Sequence, residues 1–448
     1  MKIDKGVLEE VNIEDVGEDG VLVCPEGTKE IGDYTFSKIK RDVKGIILPK
    51  SIEKIGPKCI EHFDLKRLYV PDGVEELKIF PYTQQFYYKD DHGCMCYRYY
   101  RPNYWEYLRL PKGFKVKNNK DEDEILQNNL LVVNMESLER ILENGEYNGE
   151  DVIINIKNAS ELSSEKAKEL QKKVKIKSIQ IIDIERQSDN HETMHPYDIE
   201  TYIKCREKID EIISKIDVEN LRKMPDGEKR IFCEVVKQLS SIIYDKTALR
   251  CRGTAELQTT SRNLQGGLLD GTCICVGYSE ILRNVLACLG IDSKLIAGYG
   301  HCFNQVKLDG KWYNADLTFD QPRILKGRKP KNLLKSDKDF KHHSKMILDF
   351  KKRHAGSYDP RDYSLIKLEE CDETVPDKVL MDFLYGDREV EKEETEDSQE
   401  KFFPIKKRRK REFLREFIQK KNLDKTRLFS VVDRLMKSKE RDEETKND

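Results

Sequence analysis

The chain has 448 residues, and its charges nearly cancel, with 81 lysine and arginine residues against 83 aspartate and glutamate residues. This balance excludes a uniformly basic nucleic-acid-binding protein. Hydrophobic residues make up 38% of the chain, and at roughly 100 to 200 residues per domain the length predicts two to four domains. The first residues lack the apolar stretch of a secretory signal, and no run approaches the roughly 18 apolar residues of a membrane span. We therefore expect a cytoplasmic protein without a membrane span, whose twelve cysteines are mostly free thiols.

An internal repeat marks the first predicted region, residues 1–118. Pro25, Pro49 and Pro71 are 24 and 22 residues apart, and an aliphatic residue or threonine follows each at plus three and plus six. This period is typical of a stacked solenoid. The units, over roughly residues 20–80, resemble BspA-like leucine-rich repeats, which implies a surface for a protein partner. The open alternative is a scaffold that only covers a neighbouring domain.

Residues 119–186 alternate between helical and strand patterns and predict a small α/β connector without a catalytic motif. Helix patterns span 136–144 and 163–172, and strand patterns span 152–156 and 177–182. Two amphipathic helices follow, around residues 199–216 and 231–242, and they open a third region that we place at 187–385.

The last region, residues 386–448, is predicted as a charged linker followed by a basic tail with one helix. Residues 387–400 are too polar to form a core, and they lead into the basic run Lys406–Arg411. The basic run is suited to an acidic partner, and the open alternative is a solvated tail neutralised by the neighbouring acidic run.

A reactive cysteine is predicted at the start of a helix. Asp270, Gly271 and Thr272 supply turn and capping chemistry, the apolar pattern predicts a helix over 273–289, and Gly290 stands where such a helix ends. Cys275 then lies in the first turn, where unpaired N–H groups and the helix dipole favour a thiolate. Considered alone, Cys275 would more simply be a buried core cysteine.

A β-hairpin that carries a histidine and an aspartate follows this helix. Residues 293–297 predict a strand, and 301–307 and 312–318 predict two strands joined by Asp309-Gly310, a strong two-residue turn signal. This register places Phe303 opposite Asp316 and makes His301 its diagonal neighbour on the same face. A nucleophile, a base and an orienting carboxylate are therefore predicted to meet.

Three blocks in this segment resemble the transglutaminase-like, papain-type cysteine superfamily over roughly residues 195–345. They are Cys-Val-Gly-Tyr at 275–278, His-Cys-Phe-Asn-Gln-Val at 301–306 and Gly-Lys-Trp-Tyr-Asn-Ala-Asp-Leu-Thr at 310–318. The resemblance implies an α+β fold in which a helix bearing the cysteine packs on an antiparallel sheet. It also implies Cys275 as nucleophile, His301 as general acid and base, and Asp316 as orienting carboxylate. The usual His-Ala-Trp-Asn is replaced by His-Cys-Phe-Asn, which changes the wall beside the site.

Four further residues complete the predicted site. Tyr278, Phe303 and Trp312 are expected to form its wall. Gln265, ten residues before the nucleophile, is a candidate oxyanion donor together with the backbone N–H of Cys275. The alternative role for Gln265 is turn formation beside the two glycines that follow it.

No metal or other cofactor is expected. His191-Glu192-Thr193-Met194-His195 fits the zinc-protease pattern, but Pro196 disfavours a helix at His195. His92, Cys94 and Cys96 supply three ligands at most, in no standard zinc spacing.

The favoured hypothesis is a cysteine-dependent amide hydrolase, a peptidase or side-chain amidase, that acts on a protein or peptide through a thioester. Hydrolysis is preferred because no residue pattern identifies a pocket for a second amine. The alternatives are a transamidase that cross-links proteins, and a non-catalytic interaction protein that uses the repeats and the basic tail.

Overall fold

The computed structural model describes residues 1–36, 38–39, 43–56, 59–60, 65–74, 77, 84–89, 95–100, 105–117, 123–182, 196–245, 260–298, 301–340 and 368–386. All of them lie in one compact unit, Met1–Val390. The motif at 191–195, His92, Cys94 and the tail with Lys406–Arg411 lie outside the described residues.

Helices and several separate sheets are mixed in the described part of the chain, in agreement with an α+β class. In chain order the strands are β1 (Lys2–Asp4), β2 (Val7–Glu10), β3 (Val21–Val23), β4 (Glu30–Ile31), β5 (Gly45–Ile47), β6 (Lys54–Ile55), β7 (Arg67–Tyr69), β8 (Gln84–Lys89), β9 (Met95–Tyr100), β10 (Tyr107–Leu110), β11 (Lys115–Lys117), β12 (Asp123–Ile125), β13 (Leu130–Asn134), β14 (Asp151–Ile156), β15 (Lys175–Ile181), β16 (Ile243–Tyr244), β17 (Thr272–Cys273), β18 (Ser293–Gly298), β19 (His301–Leu308) and β20 (Lys311–Ala315). The α-helices are α1 (Met135–Glu143), α2 (Ser164–Lys173), α3 (Ile199–Ser214), α4 (Val218–Lys223), α5 (Gly227–Leu239), α6 (Leu264–Leu268), α7 (Cys275–Cys288), α8 (Leu317–Leu325) and α9 (Asp377–Tyr385).

Parallel strands stack in the N-terminal part. Val21 of β3 pairs with Gly45 of β5, which pairs with Arg67 of β7. The carbonyls of Pro25 and Pro49 each accept a hydrogen bond from the backbone N–H of the residue three positions later in the chain, at 3.2 and 3.3 Å. Positions 22 to 24 residues apart therefore have the same local structure. The assignment of this region to a leucine-rich-repeat solenoid stays a prediction.

The connector strands extend the same sheet. Its order is β15-β14-β13-β10-β7-β5-β3, so strands from both sides of residue 118 share one sheet. β13, β14 and β15 are parallel, with α1 and α2 as their crossovers. Asn134 and Ser163 cap the two helices through their side chains. The predicted order of helix, strand, helix and strand is confirmed within two residues at each boundary.

The third region combines helices with a three-stranded antiparallel sheet, β18-β19-β20. The two predicted amphipathic helices are α3 and α5, and both bury their apolar residues in a core that they share with α7. The pattern did not predict α4, which lies between them. No described helix is both long enough and apolar enough to cross a membrane.

Candidate active site

Cys275 is the first residue of α7, two residues later than the predicted start. Thr272 and Cys273 instead form β17, which pairs in parallel with β16. Because the residue before the helix is Ile274, no side chain caps the first turn. Cys275 is 8% exposed, so its sulfur lies in a low-dielectric setting at the positive end of the helix dipole.

Close backbone packing fixes this end of α7. A Cβ at Gly277 would lie 2.5 Å from the carbonyl oxygen of Ser261 and 2.6 Å from the Cβ of Cys273. Real Cβ atoms do not approach other atoms so closely, so a side chain at this position would push α7 away from the preceding turn. The N–H of Ile274 also donates to the carbonyl of Ser261 at 2.9 Å. The glycine therefore lets the start of α7 sit against residues 260–262.

The hairpin has the predicted turn and register. Asn304 pairs with Ala315 and Leu308 with Lys311, and Asp309 and Gly310 both have positive φ, as a type I′ turn requires. The second strand is shorter than predicted, because β20 ends at Ala315 and Asp316 caps α8. Leu317 and Thr318 are therefore helical and not part of the strand.

His301 and Asp316 meet where the hairpin opens. His301 Nε2 lies 2.7 Å from Asp316 Oδ2, and the Asp316 side chain is fully buried. With Nε2 engaged by Asp316, the other ring nitrogen, Nδ1, remains for the hydrogen bond with Cys275. The structure therefore brings Cys275, His301 and Asp316 together in the order nucleophile, imidazole and carboxylate.

The thiol and the imidazole shift each other's pKa in opposite directions. Hydrogen bonds from the Cys302 side chain, and then from His301, hold the pKa of Cys275 well below its usual range despite burial. Burial opposes the charge on His301, but Asp316 and Cys275 together raise the pKa of His301 to about 10. A thiolate next to an imidazolium is therefore the favoured form at neutral pH.

Two contacts of the site were not predicted from the sequence. Cys302 lies in a small buried cluster with Cys275, Val276 and Leu295, and its backbone N–H also hydrogen-bonds Cys275. Phe319, in the first turn of α8, lies 5.0 Å from the His301 ring between centroids. Because side chains alternate along β19, Cys302 shares a face with Asn304 and not with His301, so the strand pattern alone did not indicate that it contacts Cys275.

The three predicted wall residues lie on three different elements, β19, β20 and α7, and each has its main contacts away from Cys275. Phe303 packs against Phe340 at 5.1 Å between ring centroids, in a separate cluster. Trp312 lies under the Lys294 ammonium, 5.3 Å from the ring centroid. Tyr278 faces the main core and donates to the carbonyl of Ile242 at 2.7 Å.

A buried amide ties α7 to the strand that begins with His301. Asn304 Nδ2 donates to the carbonyl of Ser279 at 3.0 Å, and Asn304 is 1% exposed. Because a buried amide left without this bond would cost roughly 1–3 kcal/mol, it opposes sliding of the helix along the strand. The hydrogen bond therefore helps to keep Cys275 beside the first residues of β19.

Gln265 lies in α6 and is partly buried. Its backbone N–H donates to Asn263 Oδ1 at 2.9 Å, and its carbonyl accepts from Leu269 and Asp270. These contacts fit the alternative role in turn formation, while the oxyanion role stays a prediction.

An open cavity of about 1000 Å³ lies at the other end of α7, next to Leu289 and Gly290, and does not include Cys275 in its lining.

Comparison with known proteins gives little information on this chain. No family model matches it, and no curated protein matches it. Three chains among the solved structures match, and one of them is described as the crystal structure of a TGase. That chain is 20% identical over 27% of this protein and 32% of its own length, with a TM-score of 0.23. The match spans about a third of that chain, and so low a likeness carries no argument about fold or activity.

Proposed function

We propose that the protein is a cysteine-dependent amide hydrolase, a peptidase or side-chain amidase, in which Cys275, His301 and Asp316 form the catalytic triad. The observation that carries the proposal is the 2.7 Å contact between His301 Nε2 and Asp316 Oδ2, at a histidine that also hydrogen-bonds Cys275. Each of the three groups alone has a simpler structural role. Their joint arrangement is what nucleophilic catalysis requires.

In the proposed reaction the Cys275 thiolate attacks the carbonyl carbon of an amide and forms a tetrahedral oxyanion. His301 then gives its Nδ1 proton to the departing nitrogen, the C–N bond breaks and a thioester remains. His301 next takes a proton from water, whose oxygen attacks the thioester and releases a carboxylic acid and the thiolate. The sum is amide plus water giving acid plus amine. Asp316 keeps its charge throughout and stabilises the imidazolium.

Electrostatics of the resting site support this role. A thiolate at a helix N-terminus needs no proton removal before it attacks, and an adjacent imidazolium is ready to protonate the leaving group. Of the described cysteines away from the site, Cys24 and Cys233 have pKa values raised by burial, that of Cys24 to about 12. Cys275 is therefore expected to react with iodoacetamide far faster near neutral pH than those two.

The test compares the wild type with Cys275→Ala on a proteome in the presence of a labelled primary amine. Mass spectrometry scores new peptide termini, deamidated glutamines and amine-labelled glutamines separately. Cys288→Ala is the matched control, because Cys288 is the last residue of the same helix. New termini or deamidation that require Cys275 support hydrolysis, and predominant amine labelling would instead identify a transamidase. No difference in any channel would leave the interaction protein as the explanation.

A further inference from the structure

We propose that Asp320 is a positioning residue for the triad, holding Asp316 in place through the backbone of residues 331–332. This inference rests on the proposed function, since it assigns a role within the same site. Asp320 lies in the first turn of α8, four residues after Asp316, and it is fully buried.

The Asp320 carboxylate binds one short segment with both of its oxygens. Lys331 N–H donates to Oδ1 at 2.9 Å, and Asn332 N–H donates to Oδ2 at 2.5 Å. The Asn332 side-chain amide also donates to Oδ1, at 3.3 Å. A carboxylate can accept all three hydrogen bonds at once, whereas an asparagine side chain would turn a donor toward one of the backbone N–H groups.

The same segment holds the main chain of Asp316. The carbonyl of Asn332 accepts the N–H of Asp316 at 2.9 Å, and two residues earlier Asn314 exchanges backbone hydrogen bonds with Lys335. Residues 332 and 335 therefore pair with the hairpin along the edge of β20, at Asp316 and Asn314. The path runs from the Asp320 carboxylate to the backbone of residue 332, then to the backbone of Asp316, and finally to His301.

The hydrogen bond that restrains Asp316 from within α8 is weaker than the one from residue 332. Asp316 Oδ1 accepts the N–H of Phe319 as a helix cap, but at 3.4 Å, longer than the usual range of about 2.7–3.2 Å for such bonds. The hydrogen bond to Asn332 is shorter and acts directly on the backbone from which the Asp316 side chain projects. The hydrogen bond to residue 332 therefore restrains the position of Asp316 Oδ2 more strongly than the helix cap does.

Placing a second carboxylate here has an electrostatic cost. Burial and the nearby charge of Asp316 raise the pKa of Asp320 to about 6, while the N–H groups of residues 331 and 332 and the charge of Arg323 act in the opposite direction. Burial, and then the charge of Asp320, raise the pKa of Tyr385 in α9 to about 12. A buried acid beside another acid is a poor choice for packing alone, and the three hydrogen bonds that it accepts explain its presence.

The experiment measures the protonation of His301 without requiring turnover. Histidine-labelled protein is titrated by NMR, with His301→Gln used to assign the His301 signal. In parallel, the rate of Cys275 alkylation by iodoacetate is divided by the rate with iodoacetamide. Because the imidazolium attracts the anionic reagent, this ratio falls as His301 loses its proton. A merely structural residue would change thermal stability and not this pH dependence.

Asp320→Asn is expected to lower the pKa of His301 by about one unit, which corresponds to a tenfold change in its protonation equilibrium. Asn332→Ala removes only the 3.3 Å bond and should produce a smaller shift in the same direction. Glu150→Gln is the matched control, because this buried carboxylate also accepts a backbone N–H, that of Asn148 at 2.8 Å, and lies just before β14, outside the segment that holds Asp316. It should leave the His301 titration unchanged.

An unchanged pKa of His301 in folded Asp320→Asn would overturn the inference. If that variant does not fold, Asp320→Glu decides instead, because it keeps the charge but moves the carboxylate away from the N–H groups of residues 331 and 332; an unchanged pKa of His301 in that variant would also overturn the inference. Neither result bears on whether Cys275 hydrolyses amides. Conversely, the wild type could show no activity that depends on Cys275 while Asp320→Asn still shifts the titration of His301. That outcome would refute the proposed function and leave the positioning role of Asp320 standing.

Discussion

Replacing Asp316 with asparagine tests the electrostatic coupling on which the site depends. Asparagine keeps the shape but removes the charge, and its single oxygen can serve either the helix cap or His301, with the NH₂ group turned toward the other. A hydrogen bond to a charged group contributes about 1.5–3 kcal/mol, and 1.36 kcal/mol corresponds to one pKa unit. The pKa of His301, which Asp316 and Cys275 raise to about 10 against burial, should therefore fall by about one to two units.

The difference between the two proteins in the protonated fraction of His301 is greatest near pH 9. With a pKa of about 10, roughly nine-tenths of His301 is protonated at this pH, and after a fall of two units only about one-tenth remains so. The iodoacetate-to-iodoacetamide ratio for Cys275 should drop accordingly at pH 9 and change little at pH 6, where His301 stays protonated in both proteins. NMR titration of His301 gives the same quantity directly.

Glu150→Gln serves as the control for the loss of a buried carboxylate that lies just before β14, outside the hairpin and residues 331–335. The reasoning is refuted if folded Asp316→Asn retains the wild-type pKa of His301 and the wild-type alkylation ratio at pH 9. The observed contact would then be a packing contact without electrostatic consequence.

Three further substitutions test neighbours of the site. Cys302→Ala removes a hydrogen bond to the thiolate, so the pKa of Cys275 should rise, and the pH dependence of iodoacetamide alkylation should move to higher pH. Tyr278→Phe leaves a buried carbonyl without its donor and should lower the free energy of unfolding by about 1–3 kcal/mol in urea denaturation, with the alkylation rate of Cys275 unchanged. Gly277→Ala should cost about 1–3 kcal/mol and also slow alkylation, because the added methyl group meets the carbonyl of Ser261 and shifts the start of α7. Full stability in the last variant would contradict the close packing at this turn.

Much of the local structure around the site follows from neighbouring residues in the sequence. Asp309 and Gly310 adopt positive φ, which the flanking strands require of a two-residue turn, and the turn then sets the pairing of Asn304 with Ala315. The apolar pattern before Gly290 located α7 and put Cys275 in its first turn. These features depend on preferences that act over a few residues, so the sequence was sufficient for them.

Other local predictions were less accurate because tertiary contacts override local preference. The strand expected to reach Thr318 ends at Ala315, since Asp316 caps a helix and its N–H pairs with residue 332. Likewise, Cys273 was placed inside α7 but forms a short strand with residues of β16. In both cases the partner is distant in the sequence and carries no local signal.

Turn chemistry and the apolar periodicity of one helix, both present in the sequence, locate the elements that bear the sulfur and the imidazole, while the carboxylate of Asp316 caps a helix and does not lie within the expected strand. The contacts around these groups depend on the tertiary structure: Cys302 and not Phe303 lies against the thiol, Phe319 lies beside the imidazole, and Asp320 binds residue 332. The reason is physical. Local propensities fix the course of each element, but burial and hydrogen bonding between elements far apart in the chain fix which faces meet.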